Sequence, residues 1–194
     1  NPDDEITIDT LIYYAREWVR YANITKGYGI KYWQLGNEQD HHNDIYPQAA
    51  FKTDYKRMAM AMLEVDPTIK TGPGLLNRWN DEMLRYCPEY VEFITCHQYL
   101  WFGGNEWEGY DAWKDYGKAL IPHITDNLAY VRASSKPGLE IFITETGITG
   151  GRYPDPQVFN LYKGLVLFEM QMEMIITSNV KNTFYWGTHT PWSG

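Results

Sequence analysis

Two segments carry the information about the fold: Tyr32-Trp33-Gln34-Leu35-Gly36-Asn37-Glu38 and Ile141-Phe142-Ile143-Thr144-Glu145-Thr146-Gly147. Each puts a glutamate at the end of an apolar run of the β type and has a glycine beside it. A carboxylate placed where a buried strand ends is costly in apolar surroundings unless it is paired or used. We therefore expect Glu38 and Glu145 to meet across a pocket.

Outward from these segments, apolar runs alternate with segments of helical periodicity along the whole chain. This alternation is typical of parallel β/α units, and uninterrupted apolar strands are expected where helices cover a sheet. The loops with unusual polar residues all follow strands, which is the arrangement of a (β/α)8 TIM barrel. The predicted strands are 30–35, 68–71, 91–96, 139–144 and 183–186, and the predicted helices are 9–21, 48–65, 80–86, 116–134 and 157–177.

The sequence predicts only part of such a barrel. A complete barrel needs roughly 250 residues and eight strands, whereas this chain has 194 residues. We expect residues 1–194 to be the C-terminal part of a single (β/α)8 catalytic domain that supplies about strands 4 to 8. The missing strands would come from the rest of that domain. A doubly wound open sheet is the alternative, but the glycine-rich phosphate turn typical of that fold does not follow the first predicted strand.

Composition narrows the class of partner. The net charge is −8, from 17 basic and 25 acidic residues, so a nucleic acid would be repelled. No run of eighteen apolar residues exists, so we expect no membrane span. The chain has 8 Trp, 16 Tyr and 7 Phe, side chains that suit sugar rings as well as protein cores. Cys87 and Cys96 give no disulfide framework, and Cys96 is expected to be a buried thiol.

Four short motifs follow successive predicted strands in a recognisable order. They are Gly36-Asn37-Glu38, His97-Gln98-Tyr99, Thr144-Glu145 and Trp186. In this order and spacing the chain resembles the retaining glycoside hydrolases of clan A. In that clan an Asn-Glu pair ends the fourth barrel strand and a second glutamate ends the seventh.

The resemblance implies a role for each glutamate. Glu38 resembles the general acid/base and Glu145 the nucleophile of a retaining enzyme, in which the two carboxyl groups lie about 5–5.5 Å apart. One carboxylate attacks the anomeric carbon while the other group, kept protonated by its surroundings, protonates the leaving oxygen. This double displacement needs neither a cofactor nor a metal, so we expect none.

The resemblance also implies a set of substrate-binding side chains. Asn37 resembles the residue that hydrogen-bonds the sugar 2-hydroxyl, and Tyr99 the phenol that orients the nucleophile. His97, two residues before Tyr99, is expected to face the same barrel interior, because alternate strand residues share a face. Trp186 resembles the floor beneath the reacting sugar, and Trp101 is a candidate sugar platform on a loop. The expected partner is a poly- or oligosaccharide.

The branch of the clan is left open. Ile30 to Glu38, followed by Asp66-Pro67, is similar to the α-L-arabinofuranosidase branch. That branch usually has an acidic residue and a tryptophan around its nucleophile, where this chain has Thr144 and Thr146. Endo-acting polysaccharide hydrolases and β-glycosidases are alternatives. So are a non-catalytic carbohydrate-binding protein on a degenerate barrel, which would need neither glutamate, and an inert structural fragment.

The polar segment Asp40-His41-His42-Asn43-Asp44 has two interpretations. Adjacent histidines rarely reach one ion from a single loop, and no matching Cys or His cluster occurs elsewhere, which disfavours a metal site. We expect instead a polar wall near Glu38 that touches a neighbouring sugar.

Overall fold

The computed structural model describes residues 6–101, 120–149 and 161–186, and these form two compact units. The first unit contains residues up to 95 together with 130–139, and the second contains 96–129 together with the described residues from 140 onward. The main elements are α1 (Ile8–Val19), β1 (Tyr32–Leu35), α2 (Gln48–Val65), β2 (Lys70–Pro73), α3 (Asn80–Tyr86), β3 (Phe93–Trp101), α4 (Pro122–Ala133), β4 (Glu140–Thr149), α5 (Leu161–Ile176) and β5 (Val180–Tyr185).

The first helix begins earlier than the sequence suggested. Thr7 is its N-cap, with the side-chain hydroxyl oxygen accepting the N–H of Thr10 at 3.3 Å, so the helix starts at Ile8 and not at Asp9. After Val19 the chain continues in a π-helical turn, Arg20–Thr25, which extends past the predicted end of the helix at residue 21. The bounds of α2 and α3 are those predicted.

The sheet of the first unit consists of β1 and β2, which pair in parallel with Tyr32 opposite Lys70 and Leu35 opposite Pro73. The segment leading into β3 lies beside β2, because Glu92 donates its N–H to the Thr71 carbonyl at 2.9 Å. Further along, Pro73 has no N–H to donate, and its carbonyl accepts the hydroxyl of Thr95 at 2.7 Å. The core of this unit includes Val19, Ala59, Leu75, Met83 and Val91, all fully or almost fully buried.

The second unit contains a three-stranded sheet in the order β3, β4, β5, with β4 and β5 parallel. Both β3 and β4 extend several residues beyond their predicted ends. Their pairing continues past the apolar run, since the hydroxyl of Thr146 donates to the Gln98 carbonyl at 2.8 Å. Glu145, His97 and Tyr99 therefore lie within strands and not just after them, which corrects the prediction.

The α/β class is confirmed by the parallel pairs and by the alternation of strands with helices. The strands of the described residues belong to two sheets, one of two strands and one of three. Cys87 and Cys96 are free and fully buried, as expected for Cys96, and burial raises the pKa of the Cys87 thiol to about 11. Among the described helices none is both long and apolar enough to cross a membrane.

Candidate active site

Glu38 lies on a tight turn just beyond β1, in the first unit. Its backbone is left-handed, with φ 56° and ψ 31°, a conformation that is uncommon for a residue other than glycine. Gly36, two residues earlier, has φ 89°, and between them Asn37 is exposed. The Glu38 side chain is half-buried. A strained backbone at a residue with an acidic side chain is the kind of feature that clusters at functional sites.

A close contact between two loops fixes the start of this turn. The N–H of Gly74 donates to the Leu35 carbonyl at 2.8 Å, and the Gly36 carbonyl accepts the side-chain amide of Gln34 at 3.0 Å. A Cβ atom on Gly74 would overlap the carbonyl of Gly36, so only glycine allows the loops after β1 and β2 to approach this closely.

Asp40 was expected to face a sugar, and the structure gives it a different role. Its side chain is almost fully buried, and its carboxylate accepts the backbone N–H groups of Leu76, Asn77 and Arg78 at 2.8, 2.8 and 2.7 Å. The neighbouring rings of His41 and His42 lie edge to face, 5.1 Å between centroids, and both residues are exposed. The expectation of a polar wall is wrong for Asp40, because its oxygens are used by the backbone.

Glu145 lies in an irregular part of β4, in the second unit. Ile143 is opposite Thr183 and Thr146 is opposite Tyr185, so three steps along β4 match two along β5. The extra residue is a β-bulge that includes Thr144 and Glu145. Bulges re-aim side chains and are frequent next to active sites. No sequence signal marks this bulge apart from the polar Thr-Glu-Thr run that interrupts the apolar strand.

Two side chains of β3 surround the carboxylate of Glu145. The phenol of Tyr99 donates to Oε2 of Glu145 at 2.9 Å, and Nδ1 of His97 lies 3.4 Å from the same oxygen. The Glu145 side chain is 15% exposed while that of His97 is fully buried. The carboxylate of Glu145 therefore contacts solvent on one side and the buried His97 ring on the other. Since this hydrogen bonding favours one rotamer of Glu145, the other carboxylate oxygen is held in a defined direction.

A second group of hydrogen bonds joins residues 97–98 of β3 to the start of α4. Nδ1 of His123 lies 2.8 Å from the His97 carbonyl, which can only accept, so His123 carries its proton on Nδ1. The backbone N–H of His123 donates to Oε1 of Gln98 at 3.0 Å, and Asn127 donates to the His123 carbonyl at 2.8 Å. The start of α4 is thus attached to the strand that carries His97 and Tyr99. Neither His123 nor Asn127 was predicted from the sequence.

Trp186 follows β5 and is 53% exposed, and its backbone N–H donates to the Thr146 carbonyl at 2.9 Å. Thr146 itself is fully buried, so this position has no room for a larger side chain without rearrangement. Trp101 is the last residue of β3, and its side chain lies outside the described part of the structure. The structure therefore brings His97, Tyr99 and Glu145 together in the second unit, while Asn37 and Glu38 share a turn in the first.

Comparison with known proteins finds similarity to glycoside hydrolases. No protein-family model matches the chain. An intracellular exo-α-(1→5)-L-arabinofuranosidase of Bacillus subtilis is 28% identical over 149 residues, a match that covers 63% of this chain and 29% of that protein. The local sequence similarity to an arabinofuranosidase is thereby confirmed.

Solved structures show the fold. A GH39 β-xylosidase from Caulobacter crescentus superposes with a TM-score of 0.72 at 19% identity, over 93% of this chain and 38% of that one. An α-L-arabinofuranosidase from Thermotoga maritima gives a TM-score of 0.56 at 18% identity, over 92% of this chain and 41% of that one. The chain shares its fold with TIM-barrel glycosidases and spans between a quarter and a half of the length of these proteins.

Proposed function

We propose that this chain is part of a retaining O-glycoside hydrolase that cleaves a poly- or oligosaccharide by double displacement, with Glu145 as nucleophile and Glu38 as general acid/base. The observation that carries the proposal is the carboxylate of Glu145, which is bonded by the Tyr99 phenol at 2.9 Å and lies 3.4 Å from His97 Nδ1 while its side chain keeps contact with solvent. A carboxylate held in one orientation at an accessible position is suited to in-line attack on carbon.

The reaction has two steps. In the first, a Glu145 oxygen bonds to the anomeric carbon as the glycosidic C–O bond breaks, and Glu38 gives its proton to the leaving oxygen. In the second, Glu38 takes a proton from a water molecule, which attacks the same carbon and releases Glu145. The exposed amide of Asn37 is available to the sugar 2-hydroxyl, and the exposed ring of Trp186 to the sugar face. Neither step requires a cofactor.

We further propose that the chain supplies about strands 4 to 8 of a (β/α)8 barrel and that the remaining strands come from the rest of the same domain. The relatives above are more than twice as long as this chain. Large apolar side chains are exposed on both units, among them Trp18 at 64% on α1 and Phe184 at 51% on β5. Such surface is unusual on a complete domain and suits packing against further strands and helices.

An α-L-arabinofuranosidase is the more specific candidate, favoured by the similarity to the Bacillus subtilis enzyme. The threonines on either side of Glu145 depart from that branch, and the buried Thr146 is built into the strand pairing through its hydroxyl. Turnover of 4-nitrophenyl α-L-arabinofuranoside compared with 4-nitrophenyl β-D-xylopyranoside by the full-length protein would separate this candidate from a β-xylosidase.

A trapping experiment tests the mechanism itself. The full-length protein is incubated with activated 2-deoxy-2-fluoro glycosides of the sugars that it turns over, digested and mapped by mass spectrometry. We expect a covalent adduct on the peptide that contains Glu145 and none in the Glu145→Gln variant. An adduct on another residue would contradict the assignment. Glycan binding without any adduct or product would favour the non-catalytic carbohydrate-binding protein.

A further inference from the structure

We propose that Asp40 is a positioning residue for Glu38. Its carboxylate binds the backbone of residues 76–78 and thereby fixes the strained turn on which Glu38, the proposed general acid, lies. This inference rests on the proposed role of Glu38 and adds a residue that acts through it. All the groups involved belong to the first unit.

Both oxygens of the Asp40 carboxylate accept backbone N–H groups. Oδ1 accepts the N–H of Leu76, and Oδ2 accepts those of Asn77 and Arg78, at 2.7 to 2.8 Å. Asp40 is only 2% exposed, so these bonds replace the water that a buried carboxylate would otherwise need. Bonds between an ionised acceptor and N–H donors are about twice as strong as neutral ones.

The loop that donates these bonds is itself fixed. The hydroxyl of Thr95 donates to the Pro73 carbonyl at 2.7 Å and accepts the N–H of Leu75 at 3.1 Å. The amide of Asn80 donates to the Thr95 carbonyl at 2.8 Å. Thr95 and Asn80 are fully buried, so residues 73–80 form a rigid support for Asp40.

Glu38 is separated from Asp40 by a single residue, Gln39. Its left-handed backbone is unfavourable for a residue other than glycine, so it persists only where its surroundings impose it. The turn continues with the Glu38 carbonyl accepting the N–H of His41 at 2.8 Å. The contact of Gly36 with Gly74 holds one side of Asn37-Glu38 and Asp40 holds the other.

A general acid must lie within hydrogen-bond reach of the leaving oxygen, and its contribution grows with the basicity of that oxygen. If Asp40 acts through Glu38, its loss should impair substrates with poor leaving groups and spare those that need no protonation. A merely structural role would lower activity on all substrates alike. The leaving-group dependence of kcat/KM therefore distinguishes the two roles.

The experiment compares Asp40→Asn with Asp9→Asn in the full-length protein, since Asp9 is an exposed aspartate on α1, outside this turn. Asparagine keeps the shape but turns one acceptor oxygen into a donor that faces a backbone N–H. For the phenyl glycoside of the preferred sugar we expect kcat/KM to fall about 10- to 100-fold, and for the 2,4-dinitrophenyl glycoside less than about threefold. Glu38→Gln should give the same pattern with a larger amplitude, and Asp9→Asn should leave kcat/KM unchanged for both substrates.

Equal losses on both substrates, or a lower melting temperature with unchanged kcat/KM, would overturn the role of Asp40 alone. If Glu38→Gln shows no leaving-group dependence, the proposed role of Glu38 fails as well, so the two failures are distinguishable. If Asp40→Asn does not fold, Asp40→Glu is measured by the same criteria. It keeps the charge but displaces the turn by one methylene, and unchanged kinetics on both substrates would also overturn the inference.

Discussion

Glu38 lies on a turn held by backbone groups, whereas Glu145 lies within a strand and is held by side chains. The first carboxylate depends on a left-handed backbone, a glycine contact and the N–H bonds to Asp40. The second depends on the Tyr99 phenol, the neighbouring His97 ring and a β-bulge.

This difference has a consequence for mutation. A turn held by backbone contacts is sensitive to any added atom that displaces the main chain, because packed backbones do not yield. A carboxylate held by side chains is sensitive to the loss of a single hydroxyl but tolerates small changes of the backbone nearby. The following predictions test this contrast, starting with the largest effect.

Replacing Glu145 with glutamine should abolish turnover. The amide cannot form the glycosyl ester, and loss of a nucleophile costs on the order of 10⁴-fold or more in kcat. The matched control is Glu140→Gln at the start of β4, where the Glu140 carboxylate pairs with Lys181 at 3.4 Å. Steady-state rates on an activated aryl glycoside measure both. If Glu145→Gln retains more than a few per cent of the activity, Glu145 is not the nucleophile.

Adding one methyl group should affect the two regions differently. In Gly74→Ala the new Cβ would overlap the Gly36 carbonyl, so we expect a loss of about 2–3 kcal/mol in the free energy of unfolding, with reduced kcat/KM. In Gly147→Ala the Cβ would lie 3.3 Å from the Tyr99 ring, and the expected loss is about 1 kcal/mol. Urea unfolding of both variants measures this. Equal losses would contradict the contrast between the two regions.

The elements were predictable where periodicity is strong, and the positions of the site residues within them were not. The bounds of α2 and α3 follow from helical spacing, and α2 ends at Val65 because Pro67 disfavours a helical conformation at Asp66. The ends of β3 and β4 were placed too early, because polar Gln98 and Thr146 are buried there and the Thr146 hydroxyl donates to the Gln98 carbonyl of the neighbouring strand. The hydrophobicity pattern of the sequence does not predict where this pairing between strands continues.

The same limit applies to the candidate site. The motif order identified Glu145, Tyr99 and His97, and the structure brings these three together. The environment of Asp40 was misjudged, because its partners are backbone N–H groups about 37 residues away and any sequence supplies those. Long-range contacts to the main chain leave no residue-type signal.

Removing the Tyr99 hydroxyl tests how the carboxylate of Glu145 is held in place. Tyr99→Phe deletes the 2.9 Å bond to Glu145 and leaves the ring in place. A hydrogen bond to a charged group contributes about 1.5–3 kcal/mol, so we expect kcat/KM to fall by roughly 10- to 100-fold. Tyr13→Phe, at an exposed position on α1, is the control. An unchanged rate in Tyr99→Phe would show that the phenol does not orient the nucleophile.

The smallest predicted effect concerns acid pH, where the two units should respond with opposite sign. The hydroxyl and N–H of Thr68, with Asn23, lower the pKa of Asp66 in the first unit. Because the folded state binds this proton more weakly than the unfolded state, the stabilisation is present above the unfolded pKa and is lost as the pH falls through the folded value. Asp66→Asn should therefore destabilise the protein at pH 7 and flatten the decline of stability toward acid pH.

In the second unit, burial and the nearby Glu169 raise the pKa of Glu173. The folded state here binds the proton more tightly, so this group favours folding below its unfolded pKa and opposes it once the pH rises through the raised value. Glu173→Gln should leave stability at pH 4 unchanged and increase it modestly at pH 7. Thermal melting of both variants across this pH range measures the two effects. Shifts of the same sign at pH 7 would mean that at least one of these carboxyl groups does not have the environment that its neighbours imply.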